Sequence, residues 1–238
     1  MAANERKRQE KLERKTARRK QKHQELQSAA GPIGGAPSLV TRIEMGHLQD
    51  PGAESTGGAR LTPAQLQQLA AAPVHQCLVP GQLFKVGIGN VIFSREIGEG
   101  GIAVAVFLVD VYCLGVKDAW MKVMSKERYQ AMVRYLGRHA SFKKASPECV
   151  RKLVENAEAY ARDLGFEPHP DYQVSRLIFS DVDVGACSTR FTFGHDGKPL
   201  YVSGPRDTEA RSRQIVETLN QRLGPGGFHY LVALDGPP

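Results

Sequence analysis

The chain has 238 residues and a formal charge of +7, from 32 Lys+Arg against 25 Asp+Glu. Its hydrophobic content of 41% excludes disorder throughout. Its longest uncharged apolar run, Ile102–Val109, is far short of the roughly 20 residues that a transmembrane helix needs.

The charge is unevenly placed. Residues 1–27 hold ten basic side chains: Arg6, Lys7, Arg8, Lys11, Arg14, Lys15, Arg18, Arg19, Lys20 and Lys22. Glu5, Glu10, Glu13 and Glu25 leave this arm at +6, and the rest of the chain at +1. No apolar segment follows the basic residues, so a secretory signal is not expected. The four glutamates speak against a transit peptide. A soluble, cytoplasmic protein is the expectation.

Residues 3–27 lack Gly and Pro and are rich in Ala, Glu, Lys, Arg and Gln, which predicts a helix. Leu12 and Leu26 are its only large apolar side chains, so it has no face to bury. Such a segment suits a polyanion, because each phosphate it neutralises releases counterions. The arm has no aromatic residue, which favours backbone contact over base stacking. Nucleic acid, RNA ahead of DNA, is the expected partner. An acidic protein, a membrane surface or a purely solubilising tail rank behind it.

Residues 28–60 contain seven Gly and three Pro and show no periodicity, which predicts a flexible linker. Leu39, Val40, Ile43 and Met45 form its one apolar cluster, a candidate docking peptide for a protein partner.

Residues 61–238 are expected to form one α+β domain, with an antiparallel β-rich centre packed with several helices. Thr62-Pro63 looks like a helix start, with Pro73 ending that helix. Leu83–Val86 and Val91–Phe93 read as strand, with Gly87–Asn90 as a turn or bulge between them. Ile102–Leu114 alternates little, as a central strand covered on both faces would. Lys126–Gly137 and Cys149–Leu164 carry apolar residues at helical spacing, the second opened by Ser146-Pro147 and closed by Gly165. Val174–Phe179 fits a helical turn or a strand. Phe191–Phe193 and Leu200–Val202 suggest a hairpin around Asp196-Gly197. A helix over Asp207–Leu223 and a strand over Phe228–Leu234 complete the order.

Cys77, Cys113, Cys149 and Cys187 are all more than 30 residues apart, and reduced thiols are expected. Cys113 reads as a buried small hydrophobe rather than a nucleophile. Asp110 stands out, because an aspartate inside an apolar strand must be paired, hydrogen-bonded or metal-bound. A structural acceptor is its first reading. The alternative makes the chain a metal-dependent nuclease or phosphoesterase using Mg or Mn, with Asp110 central and Asp118, Asp181 and Asp183 as co-ligands. Asp181 and Asp183 would share a face if they lay on a strand. His169, held between Pro168 and Pro170, is a candidate base or ligand, though a loop-shaping role ranks first. No phosphate-binding Gly-Lys-Ser/Thr loop, HExxH or serine-triad pattern occurs.

Phe107–Asp118 (FLVDVYCLGVKD), Leu164–Tyr172 (LGFEPHPDY) and Gly197–Tyr201 (GKPLY) resemble an uncharacterised group of bacterial proteins. The resemblance spans most of residues 70–232. It implies a bacterial origin and a single body, and carries no catalytic role.

Overall fold

The computed structural model describes residues 68–232 apart from 99, 139 and 206. The basic arm, the linker with its apolar cluster, and the expected helix start at Thr62 lie outside the described residues.

Residues 68–71 are helical and bury Leu69. Pro73 follows, and β1 (Val74–Pro80) begins. Leu83–Val86 is one turn of helix (α1), not the expected strand. The reason is Gly87, which at φ 93 caps that turn and donates its N–H to Leu83 O at 2.7 Å. A Cβ at Gly87 would fall 2.2 Å from the Tyr112 ring. Leu83 turns inward, while Phe84 stays exposed and stacks on Phe191.

Four antiparallel strands then run as a meander. β2 (Ile88–Ile97) pairs with β1, β3 (Gly101–Asp110) with β2, and β4 (Gly115–Ser125) with β3. A short β5 (Phe142–Lys144) joins the far side of β1, so the sheet order is β4-β3-β2-β1-β5. The central position of β3 explains its unbroken apolar sequence. The strand ends at Asp110 rather than Leu114, because residues 111–114 form a turn.

β4 was not anticipated, since Lys117, Asp118 and Lys122 interrupt its apolar residues. As an edge strand it tolerates them. Gly115 starts it at φ 64, where a Cβ would lie 2.6 Å from Ala161 Cβ and 2.7 Å from Ala157 O. That glycine lets a helix press onto the turn.

Helices cover both faces. α2 (Lys126–Gly137) has the expected bounds, with Ser125 as its N-cap accepting from Arg128 N. It lays Tyr129, Met132 and Leu136 on Leu78, Ile92, Ile102, Val104 and Val106. α3 (Pro147–Asp163) covers the other face, its Val150, Leu153, Val154 and Ala157 meeting Phe93, Ala105, Phe107 and Val109. Leu164 is its cap, and Gly165, expected as the cap, follows one residue on at φ 94.

Tyr172–Ser175 (α4) and a 3-10 turn at Arg176–Phe179 close the same core, settling the Val174–Phe179 ambiguity as helical. Phe191 and Phe193 do not pair as a strand. They pack on Phe84 and Tyr160, and only a single bridge, His195 to Lys198, surrounds the Asp196-Gly197 turn. β6 (Leu200–Val202) instead lies parallel to β7 (His229–Leu231), joined through α5 (Glu209–Leu223). The whole is an α+β fold with an antiparallel sheet between helices.

Candidate functional site

The turn after β3 gathers most of the polar chemistry that the sequence singled out. Asp110 is 7% exposed, and its Oδ1 accepts from the backbone N–H groups of Tyr112 and Cys113, both at 2.9 Å. Burial pushes its carboxyl above the ordinary aspartate range. Lys117 opposes that rise, as do the N–H groups of Cys113, Tyr112 and Leu114. The carboxylate therefore closes the 111–114 turn much as a cap closes a helix end, answering donors that the sheet cannot. Cys113 is fully buried, and burial together with the Asp110 charge pushes its thiol up, away from thiolate chemistry. Leu200 N donates to Tyr112 O and Gly194 N to Val111 O, so the turn also anchors the C-terminal segment.

Beside it, Lys117 Nζ lies 3.8 Å from Asp207 Oδ2. That oxygen accepts from Gly204 N at 2.8 Å and from Tyr201 Oη at 3.0 Å. Tyr201 Oη also meets Ser212 Oγ at 2.9 Å. Burial pushes the Tyr201 hydroxyl up to about 12, which keeps it a neutral donor. The group ties β4, β6 and the start of α5 together.

His169 and Asp118 do come together, with His169 Nε2 3.9 Å from Asp118 Oδ1. Asp171 N donates to His169 Nδ1 at 3.3 Å, and the His169 N–H donates to Val116 O at 2.9 Å. The side-chain contacts are long and partly exposed, while the backbone N–H of His169 holds the 168–171 loop to β4.

Asp181 and Asp183 find their partners outside this turn. Neither lies on a strand, so the same-face expectation is not met. Asp183 caps the 3-10 turn Val184–Ala186 by accepting from Gly185 N at 2.8 Å. Asp181 is exposed and lies 3.2 Å from Arg95 Nη2. Among the described residues, no three His, Cys, Asp or Glu side chains are grouped to hold a metal ion. Asp110, Asp118, Asp181 and Asp183 do not form the set that an Mg or Mn site would need.

Sequence reasoning missed three features. Arg95 is 2% exposed and donates to three carbonyls: Ile178 O from Nε at 2.7 Å, Ala72 O from Nη1 at 2.6 Å and Phe179 O from Nη2 at 2.9 Å. It staples β2 to the residue after the 68–71 helix and to the 3-10 turn at Arg176–Phe179. A lone arginine after an apolar run was the only signal. Glu158 is buried on α3 and pairs with Arg162 four residues on.

Third, Cys149 and Cys187 form a disulfide with a Cα–Cα distance of 5.1 Å, contrary to the expectation of four free thiols. The cysteines are 38 residues apart, so only the fold reveals them as partners. Disulfides persist in oxidising surroundings, which sits against a cytoplasmic expectation. For localisation, the described residues show only that no helix is long and apolar enough to cross a membrane.

No family model, curated protein or solved structure matches the chain.

Proposed function

We propose that this chain is a nucleic-acid-associated accessory protein, with RNA as the first candidate, in which residues 1–27 grip the phosphate backbone. One observation carries the reading. Ten Lys/Arg stand in 27 residues that have no apolar face to dock and no aromatic to stack. Counterion release is the driving force that such a composition supplies. The polar groups of the body support an accessory role, because Asp110, Asp183, Asp207 and Arg95 are each engaged in holding turns and elements together.

The test replaces the ten arm cations by glutamine in the full chain and follows binding of a fluorescent RNA hairpin across a salt series. Each phosphate contact adds about 0.7–0.9 to the slope of log K against log salt. If about five arm residues make contact, the slope falls by about 4 in the variant. An unchanged slope and affinity would remove the arm reading.

A further inference from the structure

Residues 28–238 sum to only +1, which conceals a segregation along the chain. Residues 119–146 alone hold +6, leaving −5 for the rest. The register shows where those cations stand. Lys122 on β4 pairs with Val104, and Lys144 on β5 pairs with Leu78. Val104 and Leu78 both lie in the core under α2, and paired residues share a sheet face. Lys122 and Lys144 therefore flank α2 on its own face, one at each edge of the sheet.

Lys126, Arg128, Arg134 and Arg138 continue the series along and just past the helix, and all six side chains are exposed. Glu127 is the single acid among them. Lys143 adds a seventh cation at the β5 edge, on the opposite face.

The two sides of the sheet treat their cations differently. On the α3 side, Arg151 pairs with Glu155, Arg162 with Glu158 and Arg176 with Glu155, while Lys152 donates to Cys187 O. On the α2 side, Lys122 lies over the Trp120 ring and Arg138 over the Tyr135 ring. Among the described residues, Lys122, Arg134, Arg138 and Lys144 form no ion pair with a carboxylate, and Lys126 has only its neighbour Glu127. The charges of Lys122, Arg134, Arg138 and Lys144 are thus left available to something outside the fold.

We infer that the α2 layer is a second nucleic-acid surface, one that binds the phosphate backbone of RNA. Its dimensions suit that ligand. Twelve residues of helix span about 18 Å, and five strands span about 19 Å from edge to edge. With a phosphate spacing on the order of the 3.4 Å of one B-DNA strand, that length faces about five phosphates.

Two rival ligands fit less well. A protein interface is anchored by a buried apolar centre, and among the described residues of this layer only Tyr135, at 37% exposure, is an exposed large apolar side chain. A membrane-surface helix needs an exposed row of Leu, Phe or Trp, whereas α2 turns its apolar row onto the sheet. The choice of RNA rests on the arm reading, but the surface is built from residues 122–144 and none of the arm's ten cations.

The test uses the full chain carrying Arg134→Glu/Arg138→Glu, with Arg211→Glu/Arg213→Glu on α5 as the control. Each is made with the native arm and with the glutamine arm. RNA-hairpin binding is read across a salt series, and circular dichroism verifies folding. The expected result is at least about a tenfold loss near 100 mM salt and a slope shallower by about 2 for the α2 variant, with the control within twofold of the parent. Arg134→Gln/Arg138→Gln repeats the test if the charge reversal disturbs folding.

An α2 variant that binds RNA as the parent does, in both arm backgrounds, overturns the inference and leaves the arm reading standing. Loss through α2 but not through the arm does the reverse. If the variant loses binding to phosphatidylserine vesicles but keeps RNA binding, the surface faces lipid and the inference falls.

Discussion

Replacing Asp110 separates its work as an acceptor from any work as a charge. Asp110→Ala leaves the N–H groups of Tyr112 and Cys113 buried without their acceptor. At about 1–3 kcal/mol for each orphaned donor, the loss is about 2–6 kcal/mol. Asp110→Asn keeps an oxygen where Oδ1 stands and removes a buried charge, so it should cost less than about 1.5 kcal/mol.

The pH dependence follows from burial. The carboxyl is raised in the folded state, so the native chain holds that proton more tightly than the unfolded chain. Its contribution is therefore complete below the ordinary aspartate value of about 3.9 and is lost as pH rises through the raised native value. From about pH 4 upward, the wild type should lose stability relative to Asp110→Asn. Urea unfolding followed by the fluorescence of the single Trp120, at pH 5, 6 and 7, measures both effects. Equal stability of the Ala and Asn variants would refute the turn-closing role, and a wild type that gains on Asp110→Asn with rising pH would refute the burial argument.

Three further outcomes are expected. Closing a 38-residue interval with Cys149–Cys187 is worth about 4 kcal/mol in the chain-entropy account. Reduction, or Cys149→Ser/Cys187→Ser, should lower the urea midpoint accordingly, and four titratable thiols in the unreduced, unfolded protein would contradict the pairing. Arg95→Met strands three buried carbonyls and should cost about 3–5 kcal/mol. Hydrogen exchange should accelerate in residues 176–181, and unchanged exchange there would contradict the staple. Gly115→Ala meets both a positive φ and the α3 backbone, and should lower stability by about 2–4 kcal/mol in thermal unfolding.

What the sequence disclosed follows the strength of local signals. α2 and α3 were legible because each carries an apolar stripe at helical spacing, and Ser146-Pro147 marked the start of α3. β3 was legible because a central strand is apolar on both faces. β4 was hidden, since Lys117, Asp118 and Lys122 are tolerable only at the edge that the fold makes of it. Leu83–Val86 looked like strand by composition, and one αL glycine made it helix. The parallel pairing of β6 with β7 depends on residues about 29 apart that carry no mutual mark.

At the site, the oddity of Asp110 was visible and its first reading, a structural acceptor, matches its geometry. Arg95, the disulfide and the Lys117–Asp207–Tyr201 group arise from contacts between distant segments, which no local pattern records. The net charge concealed the most, because a sum over residues 28–238 offset the +6 of residues 119–146 with −5 elsewhere.

The most direct test of the central claim is the salt dependence of RNA binding by the unaltered full chain. A fluorescent RNA hairpin titrated between about 50 and 200 mM salt should show affinity falling by at least about a thousandfold, as six or more phosphate contacts require. No binding at 50 mM salt, or binding that does not change with salt, would contradict it.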